Sequence, residues 1–230
     1  MACILSIETS TTVCSVAVSE DDCLFFEKVS PAVSSHSALI GTYIEEALRV
    51  VNLRGCSLDA VAVSAGPGSY TGLRIGVSAA KGVCFGYNVP LISVQTLDVM
   101  AAQARRVMPN FEGLFCPMID ARRMEVYAAV YDVAGLQLRG VQADVVSEDT
   151  YASFLANNKV CFFGNGAEKC MEVIASSNAS YLEGIDPLAS DMMFFAQRAY
   201  DLEDFVDVAY YEPFYLKEFR ATVSKNKVLG

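Results

Sequence analysis

The run Ser64-Ala65-Gly66-Pro67-Gly68-Ser69-Tyr70-Thr71-Gly72-Leu73-Arg74-Ile75-Gly76 constrains this chain more than any other part of it. An apolar stretch, Leu58 to Val63, precedes it and predicts a buried strand. Small residues follow and predict a helix from Tyr70 to Phe85. A strand that turns through glycines into a helix can hold an anion on its backbone amides. Gly68, Ser69 and Thr71, with the amide of Tyr70, are the candidate anion or nucleotide contacts. No lysine completes the GxxxxGKS/T pattern of a phosphate-binding loop. The competing reading is a tight turn that delivers a helix to a protein interface. Gly72, Gly76 and Ala80 recur every four residues, a flat stripe suited to close packing by another backbone. Each glycine costs about 1 kcal/mol in a helix interior, so Gly72, Gly76 and Gly82 imply packing that offsets it.

Hydrophobic residues make up 53% of the 230 and charged residues 19%, which excludes a disordered chain and predicts a sizeable core. The net charge of −10 disfavours unaided binding to nucleic acid, because phosphate contacts need clustered Lys and Arg. The eight cysteines show no CxxC spacing and sit in apolar patterns, so reduced core thiols are expected. With one histidine, His36, a structural zinc site is not expected. No apolar run reaches the roughly 18 residues of a membrane span. Met1 to Leu5 lacks a basic segment and enters a strand pattern at once, so no signal peptide and a cytosolic location are expected.

Ile4–Ile7, Val13–Val18 and Leu24–Val29 predict three antiparallel strands. Ser34-Ser35 offers a cap to a helix over His36–Val51. Its apolar face is Leu39, Ile40, Tyr43, Ile44, Ala47, Leu48 and Val51. Leu91–Val94 predicts a strand, and Thr96 a cap for a helix from Leu97 to Val107. Beyond Pro109 the pattern restarts. Ile119-Asp120-Ala121 with Val126–Val130 matches Ile7-Glu8-Thr9 with Val13–Val18 at an offset of about 112 residues, which suggests two related lobes. Further strands are expected at Gln137–Val145 and Val160–Phe163. Further helices are expected at Ser147–Ala156, from Gly166 to Ala175, and at Asp191–Leu202. Tyr210 to Lys217 forms an aromatic docking segment. The expected fold is α/β and two-lobed, of the actin-like and sugar-kinase-like (RNase H-like) ATPase class, with a mixed five-stranded sheet and helices in each lobe. Residues 1–108 form the first lobe and carry the partner-binding helices. Residues 109–230 form the second, whose last helix and tail can pack back on the first.

GPGSYTGLRIG, after the opening ILSIETSTTVCSVAV, resembles the TsaB (YeaZ) family, and the resemblance is most specific in the N-terminal half. It implies a non-catalytic scaffold and activator for transfer of a threonylcarbamoyl group to N6 of adenosine 37 in tRNAs reading codons that start with A. It implies TsaD, a catalytic paralogue, as partner and TsaE, an ATPase, as a further one. It also implies a homodimer when the chain is alone, tRNA contact only through the complex, and no membrane. ATP and a metal are expected in the complex and neither on this chain alone. The catalytic paralogue holds metal through H-x-x-x-H after a V-P-x-x-x-V strand. Here that strand is Val89 to Val94, and the histidine positions fall on Thr96 and Met100. The helices at His36–Val51 and Tyr70–Phe85 would pair with their equivalents in a partner. The candidate contacts are His36, Leu39, Tyr43, Tyr70, Gly72, Leu73, Arg74, Gly76, Val77, Ala80 and Lys81.

Other readings stay open. Glu8, Asp98 and Asp120 are the acids that a small-molecule kinase or ATPase of the same class would use, although an acid in a hairpin turn such as Glu8 is more often solvated or capping. A metallopeptidase would need more than one histidine. His36, at a helix start, is expected to cap or lie at the surface. Gly164-Asn165-Gly166 is a turn into a helix, and Asp201, Glu203, Asp204 and Asp207 a solvated acidic surface.

Overall fold

The computed structural model describes residues 2–21, 23–30 and 36–217. Among them the chain forms two five-stranded sheets. The first contains β1 (Cys3–Glu8), β2 (Ser15–Glu20), β3 (Cys23–Val29), β4 (Ala60–Gly66) and β5 (Leu91–Gln95), in the order β3-β2-β1-β4-β5. The second contains β6 (Leu114–Asp120), β7 (Glu125–Tyr131), β8 (Gln137–Val145), β9 (Val160–Phe163) and β10 (Ala179–Leu182), in the order β10-β9-β6-β7-β8. Read from the antiparallel edge inward, the two orders are the same. In each sheet a meander of three strands is extended by two parallel strands. Glu8 ends β1 and Asp120 ends β6, so the repeat seen in the residues is a repeat in the fold.

Both faces of the first sheet are covered, which is why its inner strands are apolar without interruption. Helices α1 (His36–Arg54) and α2 (Tyr70–Tyr87) pack on Leu5, Ile7, Val16, Val18, Val61 and Val63. Ile40, Ile44, Ala47 and Val51 of α1 are buried there, four of the seven residues expected on its apolar face. The opposite face carries Ile4, Ala60, Ala62, Ile92 and Val94. It is covered by Val99 of α3 (Thr96–Val107) and by Ala196 of a helix near the chain's end, described below. Leu97, Met100, Ala101 and Ala104 of α3 face the other way, onto Phe115, Ile119, Ala129 and Phe163 of the second sheet. Helix α3 is thus the filling between the sheets. The far face of the second sheet packs on Tyr151, Leu155, Cys170 and Ile174.

The second lobe holds less helix than its sequence suggests. Over Ser147–Ala156 only one short helix forms, α4 (Ala152–Leu155), preceded by a turn in which Thr150 Oγ1 accepts from the Ser147 amide at 2.8 Å. The helix expected to reach Ala175 is a single 3-10 turn, Glu168–Cys170. Strand β10, Ala179–Leu182, forms where the sequence pattern predicts none. The last helix, α5 (Met193–Asp201), follows a 3-10 turn at Ala189–Met192 and is shorter than expected. Thr96 does not cap α3: Gln95 stands at the cap, and the Thr96 hydroxyl is buried without a partner. The cap expected at Ser34-Ser35 lies outside the described residues. All eight cysteines are free thiols. Among the described residues, no helix is long and apolar enough to cross a membrane.

After α5 the chain runs as a strap along the first sheet's edge. Val206 donates its amide to the Leu91 carbonyl at 2.9 Å, and Phe214 donates to that of Ala65 at 2.8 Å. Lys217 then ion-pairs with Glu125 of the second lobe. The aromatic segment at Tyr210–Lys217 therefore docks on its own chain, joining both lobes.

Candidate functional site

The glycine turn between β4 and α2 is clamped from below by the turn that follows β1. The Glu8 carboxylate accepts the Ser10 amide at 2.6 Å. The Ser10 carbonyl accepts the Ser69 amide at 2.6 Å. The Thr9 hydroxyl donates to the Gly72 carbonyl at 2.8 Å. His36 joins through Nε2, 2.7 Å from the Thr11 carbonyl. One hairpin turn therefore seats the N-termini of both α1 and α2. Gly66–Pro67 is a cis peptide. Gly66 has φ +106, and a side chain there would meet the Phe214 carbonyl oxygen of the strap at 2.9 Å.

This arrangement changes the role of the glycine stripe. A Cβ on Gly72 would fall on the Thr9 carbonyl oxygen, and one on Gly76 on the Thr9 hydroxyl. At Gly72 and Gly76 the expected close packing is thus made by Thr9 of the same chain, not by a partner's helix, whereas Gly82, also expected to be packed, is exposed with nothing near it. Gly72, Leu73, Gly76, Val77 and Ala80 are all buried inside the first lobe. The other residues expected at a partner surface are partly or fully open: Tyr70, Arg74 and Lys81 on α2, and His36, Leu39 and Tyr43 on α1.

The expected anion contacts are largely engaged. Ser69 caps α2: its hydroxyl accepts the Gly72 amide at 3.2 Å while its own amide is held by Ser10. Gly68 is pressed against Ser10, whose Cβ would lie 2.8 Å from a Gly68 side chain. Thr71 points outward, exposed. Such an arrangement builds a stiff helix start.

What remains open is a groove of about 500 Å³ between α1 and α2, lined by Ser37, Ile40, Tyr70, Thr71, Arg74, Ile75 and Ser78. Arg74 lies over the Tyr70 ring at 4.8 Å, and Tyr70 in turn packs on Tyr215 of the strap, centroids 4.8 Å apart. Tyr215, Ser37 and Ile75 were not singled out in the sequence. The strap's aromatic run was the only signal for Tyr215, and nothing there showed which surface it meets.

The three acids of the alternative reading each have partners of their own. Glu8 is not solvated but fully buried, and burial pushes its carboxyl up to about 7. Its second oxygen has no partner. Asp98 accepts from the Tyr131 hydroxyl at 2.6 Å, and desolvation raises its pKa. Asp120 ion-pairs with Lys169, which also donates to the Glu125 carbonyl at 2.8 Å. Thr96 and Met100 are both fully buried, and the Met100 methyl packs into the space a side chain on Gly164 would take. A buried thioether and an unpartnered hydroxyl stand where an H-x-x-x-H site has its two imidazoles. Among the described residues no group of three or more His, Cys, Asp or Glu could hold a metal ion. Asp201, Glu203, Asp204 and Asp207 are exposed, as expected.

Comparison with known proteins adds to this geometry. A family model described as TsaD, tRNA N6-adenosine threonylcarbamoyltransferase, matches residues 29–219. The chain is 33% identical over 141 residues to the tRNA threonylcarbamoyladenosine biosynthesis protein TsaB of Bacillus subtilis (strain 168), covering 61% of this chain and 60% of that protein. It is 38% identical over 130 residues to the protein of the same name from Escherichia coli (strain K12), covering 56% and 54%. Over 71 residues it is 44% identical to the tRNA N6-adenosine threonylcarbamoyltransferase of B. subtilis, covering 30% and 20%. The matches thus span little more than half the length of the TsaB relatives. The structure of YeaZ from Pseudomonas aeruginosa superposes with a TM-score of 0.77 at 24% identity, over 94% of this chain and all of that one, which shows a shared fold.

Proposed function

Because this chain belongs to the TsaD family, within it to the TsaB (YeaZ) group, we propose that it is the non-catalytic scaffold and activator of tRNA threonylcarbamoyl transfer. In this reading it takes part in synthesis of threonylcarbamoyladenosine by pairing with the catalytic paralogue TsaD. TsaD carries the metal and the chemistry, TsaE joins the pair, and ATP and tRNA are met by the complex.

The observation that carries this reading is the apolar packing at Thr96 and Met100. Where the paralogue's resemblance calls for two metal ligands, this chain has a core seam between its lobes. The acids Glu8, Asp98 and Asp120 that a kinase would use are each held by groups of this chain, Ser10, Tyr131 and Lys169. The face formed by α1 and α2 supports the scaffold role, because a rigid turn holds both helices while leaving their groove open. The same face serves self-association, so homodimer and heterodimer compete.

The test is light scattering behind a sizing column, with the chain alone and with the TsaD protein of its own organism, followed by modification of tRNA by the mixture. A shift from homodimer to a one-to-one complex, with modification dependent on this chain, is expected. No complex with folded TsaD overturns the reading. ATP turnover by the isolated chain, abolished in Glu8→Gln, would point to the kinase instead.

A further inference from the structure

Helix α2 carries two cations, Arg74 and Lys81, and no acid over its 18 residues, in a chain whose net charge is −10. The two cations are not equivalent. Lys81 donates to the Ala209 carbonyl of the strap at 3.0 Å. Arg74 is exposed and makes no ion pair among the described residues; its guanidinium rests on the Tyr70 ring. Tyr70 is backed by Tyr215, which the strap brings up after the Phe214–Ala65 hydrogen bond. Arginine stacked on an aromatic plane loses little freedom on binding and keeps its donors directed outward, which suits a carboxylate. The rest of the groove offers Ile40 and Ile75 with the hydroxyl side chains of Ser37, Thr71 and Ser78.

We infer that Arg74, braced by Tyr70 and Tyr215, is the residue that selects a different protein over a second copy of this chain. The partner surface it fits presents a carboxylate beside a large apolar side chain that enters the groove. This rests on the scaffold reading above and assigns the specificity of that same face. The argument is charge complementarity. In a two-fold pairing, α1 and α2 of one copy meet α1 and α2 of the other. Helix α2 has no acid to offer Arg74. On α1, Glu46 is paired with Lys28 at 2.9 Å and Glu45 with Arg49 at 3.2 Å. Self-association therefore offers Arg74 only carboxylates from these helices that already have a cation on their own chain. A partner with an unpaired acid there gains an ion pair without breaking one.

The experiment measures two affinities, self-association and binding to the TsaD protein, for the wild type, Arg74→Gln and Tyr215→Ala, at low salt and at high salt. Arg74 is exposed, so the Gln variant keeps the fold. Arg74→Gln should weaken TsaD binding roughly 10-fold or more and remove most of its salt dependence, with self-association unchanged or tighter. Tyr215→Ala should shift the same ratio in the same direction by less. TsaD binding unchanged in Arg74→Gln, or equal loss of both affinities, overturns the inference and leaves the scaffold reading standing. Absence of any complex with the wild type overturns both.

Discussion

Thr9 and Gly72 hold each other: the Thr9 hydroxyl donates to the Gly72 carbonyl at 2.8 Å, and the Thr9 carbonyl oxygen fills the space a Gly72 side chain would need. A loop residue thus dictates the composition of a helix 63 positions further on.

The two glycines that touch Thr9 should respond differently to repair. Gly72→Ala and Gly76→Ala each overpack the turn and should cost about 1–3 kcal/mol in urea unfolding. At Gly76 the obstacle is the Thr9 side chain, so adding Thr9→Ala should recover part of the loss. At Gly72 the obstacle is backbone, and Thr9→Ala should recover nothing. Simple additivity at Gly76 would sink this account.

Glu8 makes stability depend on pH. Its carboxyl is raised to about 7 in the folded chain, so between its ordinary range and pH 7 the folded state holds a proton that the unfolded state has lost. Stability should therefore fall as pH rises from about 4.5 to about 7, by up to about 3 kcal/mol from this group. Asp98 and Asp191 are also raised by burial, so the quantity to measure is the difference between wild type and Glu8→Gln. Parallel pH profiles for the two would refute the assignment.

Thiol labelling at pH 8 should sort the cysteines by burial. Cys23 is exposed and should react first, with the half-buried Cys56 slower. The remaining six are buried, with Cys3 pushed up to about 12 and Cys14 and Cys84 to about 11 by desolvation, so thiolate is scarce as well as shielded. Mass spectrometry should find one or two labels on the native chain and eight after unfolding. Early labelling of Cys14 would contradict the closed packing around Glu8.

Asp144 anchors the second lobe. It is nearly buried and accepts from Arg139 at 2.5 Å and from the Tyr151 hydroxyl at 2.7 Å. Asp144→Ala strands both donors and should cost about 3 kcal/mol, whereas Tyr151→Phe should cost about 1 kcal/mol. Hydrogen exchange should show the loss in β7 and β8 ahead of the first sheet. Equal loosening of both sheets would mean the pair acts globally.

Much of the first lobe was legible because burial on both sides of its sheet leaves continuous apolar strands and strong helix periodicity. Ile40, Ile44, Ala47 and Val51 announce α1 directly. In the second lobe, side chains compete locally with the helix pattern. Lys169 is drawn to Asp120 and to the carbonyls of Arg123 and Glu125, and the segment around it closes as 3-10 turns. Strand β10 has four residues at a sheet edge and too little alternation to be seen. The candidate site was legible in its residue types and not in its orientation. Four-residue spacing identified the glycine stripe, but only the position of Thr9 determines that it faces inward.

The placement of α5 has a consequence for synthesis. The face of the first sheet bearing Ile4, Ala60, Ala62 and Ile92 is covered partly by Ala196, yet β5 is complete at Gln95. At roughly 5–20 residues per second, about a hundred residues of chain take on the order of 5–20 s to make. During that interval a nascent chain carries a finished sheet with one side still greasy, and a ribosome-bound chaperone has its window there.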